Sequence, residues 1–256
     1  MSGPFRRDDR AVSDVLAFIM VFSIIITSVA LVYGTGFSSI KQVSEGEQKA
    51  NAERAMEALS LSLSDIEKGE ASRRGGSLNL GGGQLGATDL TAIEVIVDGT
   101  TVTRDASGSV GPNVTGSLEY SVDDTAVAYE SGGVFRRDGS ASVTVVRPTV
   151  TCTSDRAIVS LVKIESPDGR IGADGNVEVS MAEQETRLLF TDSNGPADNT
   201  VKFDVTGTDY APAWERTLDE QGWGASTTGS NSVEASCNTE RVVVRLVVIE
   251  VTYDTP

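Results

Sequence analysis

The chain contains no histidine. That removes the commonest general base and metal ligand of neutral-pH chemistry, together with Ser-His-Asp and Cys-His nucleophile systems. Its only cysteines, Cys152 and Cys237, are too few for a thiolate zinc site. Lysine is scarce, confined to Lys41, Lys49, Lys68, Lys163 and Lys202. Lys and Arg total 21 against 37 Asp and Glu, a formal net charge of -16. Arg6, Arg7 and Arg10 cancel Asp8, Asp9 and Asp14, so the whole excess lies beyond residue 14. Such a surface repels nucleic acid and anionic lipid, and no nucleic-acid partner is expected. Acid excess with little lysine suits a protein kept hydrated in concentrated salt, where the Debye length falls to ~3 Å at 1 M. A halophilic source is the expectation. Disorder is disfavoured, because 39% of residues are hydrophobic, enough to build a core.

One long apolar run is present. From Val15 to Tyr33 the chain reads VLAFIMVFSIIITSVALVY without a charge. At ~1.5 Å rise per residue a helix of this length spans roughly 28 Å, about one hydrocarbon core. The lipid bilayer is therefore the expected partner of this segment. Arg6, Arg7 and Arg10 precede it, and the first basic residue after it is Lys41. That asymmetry predicts a cytoplasmic N-terminus and an extracellular C-terminal domain. A cleaved secretory signal is the rival reading, but its apolar core would be about 7–15 residues, shorter than this run.

The expected class is α+β: a long N-terminal transmembrane helix continuing into an amphipathic helix, then a mainly antiparallel β-rich extracellular domain. Residues 1–10 form a basic leader, 11–36 the membrane helix and 37–69 the amphipathic helix, with a loosened stretch at Gly34 and Gly36. In the second helix Ala52, Met56, Leu59, Leu63 and Ile66 recur at three- and four-residue steps, one stripe for packing on the domain that follows. Gly69 and then Arg73-Arg74-Gly75-Gly76 are expected to close it. Residues 77–256 read as β-rich, as one domain or two divided near Pro148. Asp98-Gly99 between residues 92–97 and 100–104 is a strong hairpin signal. Further strands are expected at 117–122, 126–129, 142–147, 157–165, 177–181, 187–190, 201–206 and 241–253, the last apolar enough to be central. One helix is expected at 213–221, between Pro212 and Gly222.

Candidate sites are few. Outside a cell, Cys152 and Cys237 are expected to pair as a disulfide; buried free thiols are the alternative. The loop Gly81-Gly82-Gly83-Gln84-Leu85-Gly86 lacks the Gly-Lys-Ser/Thr ending of a phosphate loop. Asp123-Asp124 and the spaced acids Asp168, Asp174 and Glu178 do not match a helix-flanked calcium loop, so solvated turns are preferred. No metal or cofactor is expected, and paired-carboxylate hydrolysis finds no support in the spacing of acids. Asn113-Val114-Thr115 is the only N-x-Ser/Thr acceptor, making Asn113 a candidate glycosylation site. Tyr129, Trp214 and Trp223 could form a binding platform or, more ordinarily, core. Asp14 stands at the edge of the apolar run, where a carboxylate is costly unless paired or held at the interface. It sits among headgroups near Arg10 or, were the leader cut between Arg10 and Ala11, could pair with a neighbouring chain's new amino terminus.

The segment RRDDRAVSDVLAFIMVFSIIITSVALVYGTGF resembles the class III signal and first helix of archaeal type IV pilin-like proteins, matching at Arg10, Ala11, Val12, Ser13 and Val15. It departs from them in having no glycine before the cut and in placing Asp14 where many carry proline. NAERAMEALSLSLSDIEKGEASRRGG, YESGGVFRRDGSASV and APAWERTLDEQGW are similar to blocks of an uncharacterised haloarchaeal surface protein family with this N-terminus. The resemblance implies a pilin-like or membrane-anchored cell-surface structural or interaction protein, with other pilin-like subunits or surface-layer components as partners; it implies no activity, and on the residues no enzyme is expected. The alternative is a monomeric anchored binding module without filament assembly.

Overall fold

The computed structural model describes residues 9–103, 114–172, 175–192 and 199–254. It divides into two compact units, Met1–Gln48 and Lys49–Pro256. Helix α1 covers Asp9–Glu67 and runs through Gly34 and Gly36, where the sequence suggested loosening. A glycine costs ~1 kcal/mol against alanine in a helix, and a long, already nucleated helix carries that cost.

In the second unit the last turns of α1 bury the predicted stripe: Ala52, Met56, Leu59, Leu63 and Ile66 are each at most 3% exposed. They pack with apolar side chains of several strands in one core cluster. Glu67 ends the helix with 5% exposure, its carboxylate 3.8 Å from the Arg245 guanidinium. Gly69, at φ 77°, supplies the left-handed turn, and its N–H donates to the Ile66 carbonyl. Arg73 to Gly76 do not help to close the helix. They open the first strand, because the turn at Gly69 already reverses the chain.

Fifteen strands follow among the described residues: β1 (Arg73–Asn79), β2 (Gln84–Val97), β3 (Thr100–Thr101), β4 (Val114–Val122), β5 (Thr125–Glu130), β6 (Gly133–Asp138), β7 (Ala141–Val146), β8 (Val150–Cys152), β9 (Ala157–Glu165), β10 (Ile171–Gly172), β11 (Asn176–Thr191), β12 (Asn199–Thr206), β13 (Gly224–Gly229), β14 (Ser232–Thr239) and β15 (Val242–Asp254). Helix α2 (Ala211–Glu220) precedes β13. One sheet has the order β1-β11-β15-β9-β8; the other runs β13-β14-β12-β2-β4-β5-β6-β7, with β3 and β10 also paired to β2. Every pairing is antiparallel except β15 with β9. The apolar strand β15 is central in its sheet, as its composition predicted.

The division considered near Pro148 does not occur. Val95 and Phe135, before it, share one core with Val159, Phe203 and Trp214 after it. Leu118 and Tyr129 likewise share the other core with Ile164 and Val251. The Asp98-Gly99 hairpin is present, with φ 49° and 78°, both positive as a type I′ turn requires. Residues 177–181 and 187–190, expected as separate strands, belong to the single strand β11. Irregularities between Glu183 and Glu185 and between Leu188 and Phe190 interrupt its alternation.

Candidate functional site

The most distinctive surface lies on α1. Residues Asp14–Gly34 form a 21-residue segment of mean hydropathy 2.8, none of it buried. Phe18, Ile24, Val32 and Tyr33 are each at least 65% exposed. In a soluble protein each such side chain would forgo ~1.5–3 kcal/mol of burial, whereas hydrocarbon would accept them. Two hydroxyls within the run, those of Thr27 and Ser28, are internally answered. Thr27 Oγ1 donates to the Ser23 carbonyl at 2.7 Å, and Ser28 Oγ to the Ile24 carbonyl at 2.7 Å. Bonding back to the preceding turn leaves no hydroxyl proton to desolvate. Phe18 and Phe22, one turn apart, stack with centroids 6.0 Å apart. Asp14 is exposed at the start of this segment. Arg10 and Ala11 lie on the first turns of α1, and their side chains fall outside the described residues.

Among the described residues no three Cys, Asp or Glu side chains converge as metal ligands. Asp168 serves structure: its Oδ2 accepts the Tyr253 N–H at 3.1 Å. Asp174 and Asn113 lie outside the described residues. The aromatic platform is not there: Tyr129, Trp214 and Trp223 are 1%, 0% and 3% exposed. Trp214 packs on Phe135 at 4.7 Å and on Phe203 at 6.0 Å, because α2 buries its apolar face on the ten-stranded sheet.

Cys152 and Cys237 are joined, with Sγ–Sγ 2.05 Å and Cα–Cα 6.5 Å. The bond ties β8 of one sheet to β14 of the other. Two further bonds fix β8 to the exit of α2. The Cys152 N–H donates to the Gln221 carbonyl at 2.9 Å, and Trp223 Nε1 donates to the Val150 carbonyl at 3.0 Å. Gly222, at φ 94°, must be glycine here, since a Cβ would overlap the Cys152 carbonyl.

Two acidic features escaped the sequence reading. Glu130, at the end of β5, is 2% exposed. Its carboxylate oxygens accept bonds from Thr91 Oγ1 at 2.6 Å, Thr208 Oγ1 at 2.8 Å and Trp214 Nε1 at 2.7 Å. Burial pushes its carboxyl above the usual range, and the three donors offset only part of that effect. The second feature is a carboxylate ladder. Asp204 on β12 stands opposite Glu234 on β14 and Glu94 on β2. Partial burial, then Glu234 and Glu94, raise the Asp204 carboxyl from its ordinary value. Partners that lie from 30 to 110 residues apart in the chain cannot be read from local pattern, so neither feature has a sequence signal. A groove of about 260 Å³ lies between β7 and α2, lined by Thr144, Arg147, Arg216, Thr217 and Glu220. Arg147 there pairs with Glu220, and Arg216 donates to the Ser142 carbonyl.

Fold and site together define a class: a β-rich two-sheet unit joined through a long helix to an exposed apolar segment of membrane-spanning length. Within that class the chain belongs to a family of unknown function, DUF7289, matched over residues 10–252. No curated protein and no solved structure matches it.

Proposed function

We propose that this chain is a membrane-anchored surface protein of a halophilic archaeon, pilin-like at its N-terminus, that works by contact rather than catalysis. The N-terminus is cytoplasmic, residues 14–34 span the bilayer, and the β-rich unit stands outside. The observation that carries this reading is the apolar segment Asp14–Gly34, long enough to cross a membrane and wholly unburied. The arginines ahead of it support the orientation. The Cys152–Cys237 disulfide supports an oxidising compartment, where such bonds persist. The acid excess supports a salt-rich medium.

On this reading the span either bundles with like helices after processing between Arg10 and Ala11, or remains in the bilayer as a plain anchor. Intact-mass measurement and N-terminal sequencing of protein from washed membranes and shed-surface fractions separate these outcomes. A start at Ala11 with sedimentable polymer supports assembly. An intact leader in the membrane fraction, without polymer, gives the anchored module. Recovery wholly in the soluble cytoplasmic fraction defeats the proposal.

A further inference from the structure

Among the described residues Glu130 is the one fully buried carboxylate with a shifted acidity, and three separate chain segments converge on it. Thr91 comes from β2, Thr208 from the turn ahead of α2, and Trp214 from α2 itself. Among the described residues no lysine or arginine pairs with it. The other titratable groups of this network are Glu119 on β4 and Tyr210 ahead of α2, whose hydroxyl donates to Glu119 at 3.1 Å. The nearby cations are already engaged: Arg170 lies 3.2 Å from Glu119, and Arg137 lies 4.0 Å from Asp209. Glu119 adds negative charge near Glu130, and among the described residues these cations pair with Glu119 and Asp209 rather than with Glu130.

The donors also say where a proton would sit. Oε2 accepts from both Trp214 Nε1, an obligate donor, and Thr208 Oγ1, which itself accepts the Tyr210 N–H at 3.0 Å. Oε1 meets only the Thr91 hydroxyl, at 2.6 Å, and a hydroxyl can reverse to accept. A protonated carboxyl at Oε1 therefore keeps every bond in the network. An ionised one leaves a buried charge facing neutral donors alone.

We propose that Glu130 is a pH-sensitive latch on α2, holding the helix closed while protonated and letting it open more readily once ionised. Opening of α2 removes Trp214 and lets water reach the carboxylate, so opening is favoured wherever the exposed group would ionise and the buried one would not. Over that interval the opening equilibrium of α2 rises about tenfold per pH unit, and it levels off above the buried group's own titration.

Amide hydrogen exchange on the full-length protein in detergent micelles, followed from pH 5 upward, tests this. After correction for intrinsic exchange, amides of Ala211–Glu220 should open more readily than those of β9 and β15. Their opening should also carry the pH slope described, and Glu130→Gln, a neutral isostere, should abolish that slope in α2. Equal protection of α2 and β15 at every pH would overturn the proposal, since the helix would then open only with the whole domain. A slope that survives in Glu130→Gln would overturn it too. If that variant does not fold, a pH-independent α2 in the native protein is sufficient to reject the latch.

Discussion

Removing the disulfide by the paired change Cys152→Ala and Cys237→Ala should be among the most damaging alterations of the β-rich unit. The bond closes a loop of 85 residues in sequence separation. On the chain-entropy account, that constraint lowers the unfolded state's entropy by about 15 cal/mol/K, or about 4.6 kcal/mol at 25 °C. Domains of this size are stable by ~5–15 kcal/mol, so a third or more of the margin rests on one bond. The bond also joins the two sheets directly, and Trp223 sits beside β8 at the same point. Urea unfolding of the full chain in detergent, followed by tryptophan fluorescence, reads the loss, because Trp214 and Trp223 are both core residues. A midpoint shift equivalent to ~3–5 kcal/mol at unchanged slope is expected. A change under ~1 kcal/mol would refute the reasoning, meaning that the unfolded chain is already compact or the bond is strained.

Other expectations follow from the packing and charge. Leu63→Ala, at a fully buried position of the α1 stripe, should cost about 2–5 kcal/mol by the same assay, whereas Leu61→Ala, 64% exposed, should cost almost nothing. In the carboxylate ladder, Glu94→Gln and Glu234→Gln should each stabilise at low salt by about 0.2–1 kcal/mol, and the gain should vanish in molar salt as screening removes the repulsion. Burial holds the Glu130 carboxyl protonated to higher pH than an exposed one, so as pH rises the unfolded chain releases that proton first. Its contribution is therefore full below pH ~4.5 and is lost as pH rises through the folded value. Glu130→Gln should flatten this part of the pH–stability curve measured by thermal melting.

Much of the architecture was legible because local pattern carried it. The three- and four-residue recurrence from Ala52 to Ile66 named the buried face of α1, and Asp98-Gly99 named its hairpin by the positive φ that only such pairs take readily. Strand β9 was legible end to end, since residues 157–165 read AIVSLVKIE, a run rich in β-branched and apolar side chains. Strands β1, β13 and β14 were not, because RRGGSLN and GASTTG are glycine-rich and polar. They are strands through their partners, β1 on β11, β14 on β12 and β13 on β14, rather than through their own propensity. Strand β6 was hidden for a related reason: GVFRRD reads as a turn, yet β5 and β7 pair with it on either side. The Glu130 network lay beyond reach because Thr91, Glu130, Thr208 and Trp214 meet only after the ten-stranded sheet and α2 have formed. The apolar segment of α1, by contrast, depends on composition alone and was plain from the start.

The central claim is that residues 14–34 cross the membrane with the β-rich unit outside. Labelling intact cells with a membrane-impermeant amine reagent, then mapping the modified lysines, tests it most directly. The account predicts that Lys202, exposed on β12, is labelled on intact cells to the same extent as after lysis. Labelling that appears only after lysis would contradict it.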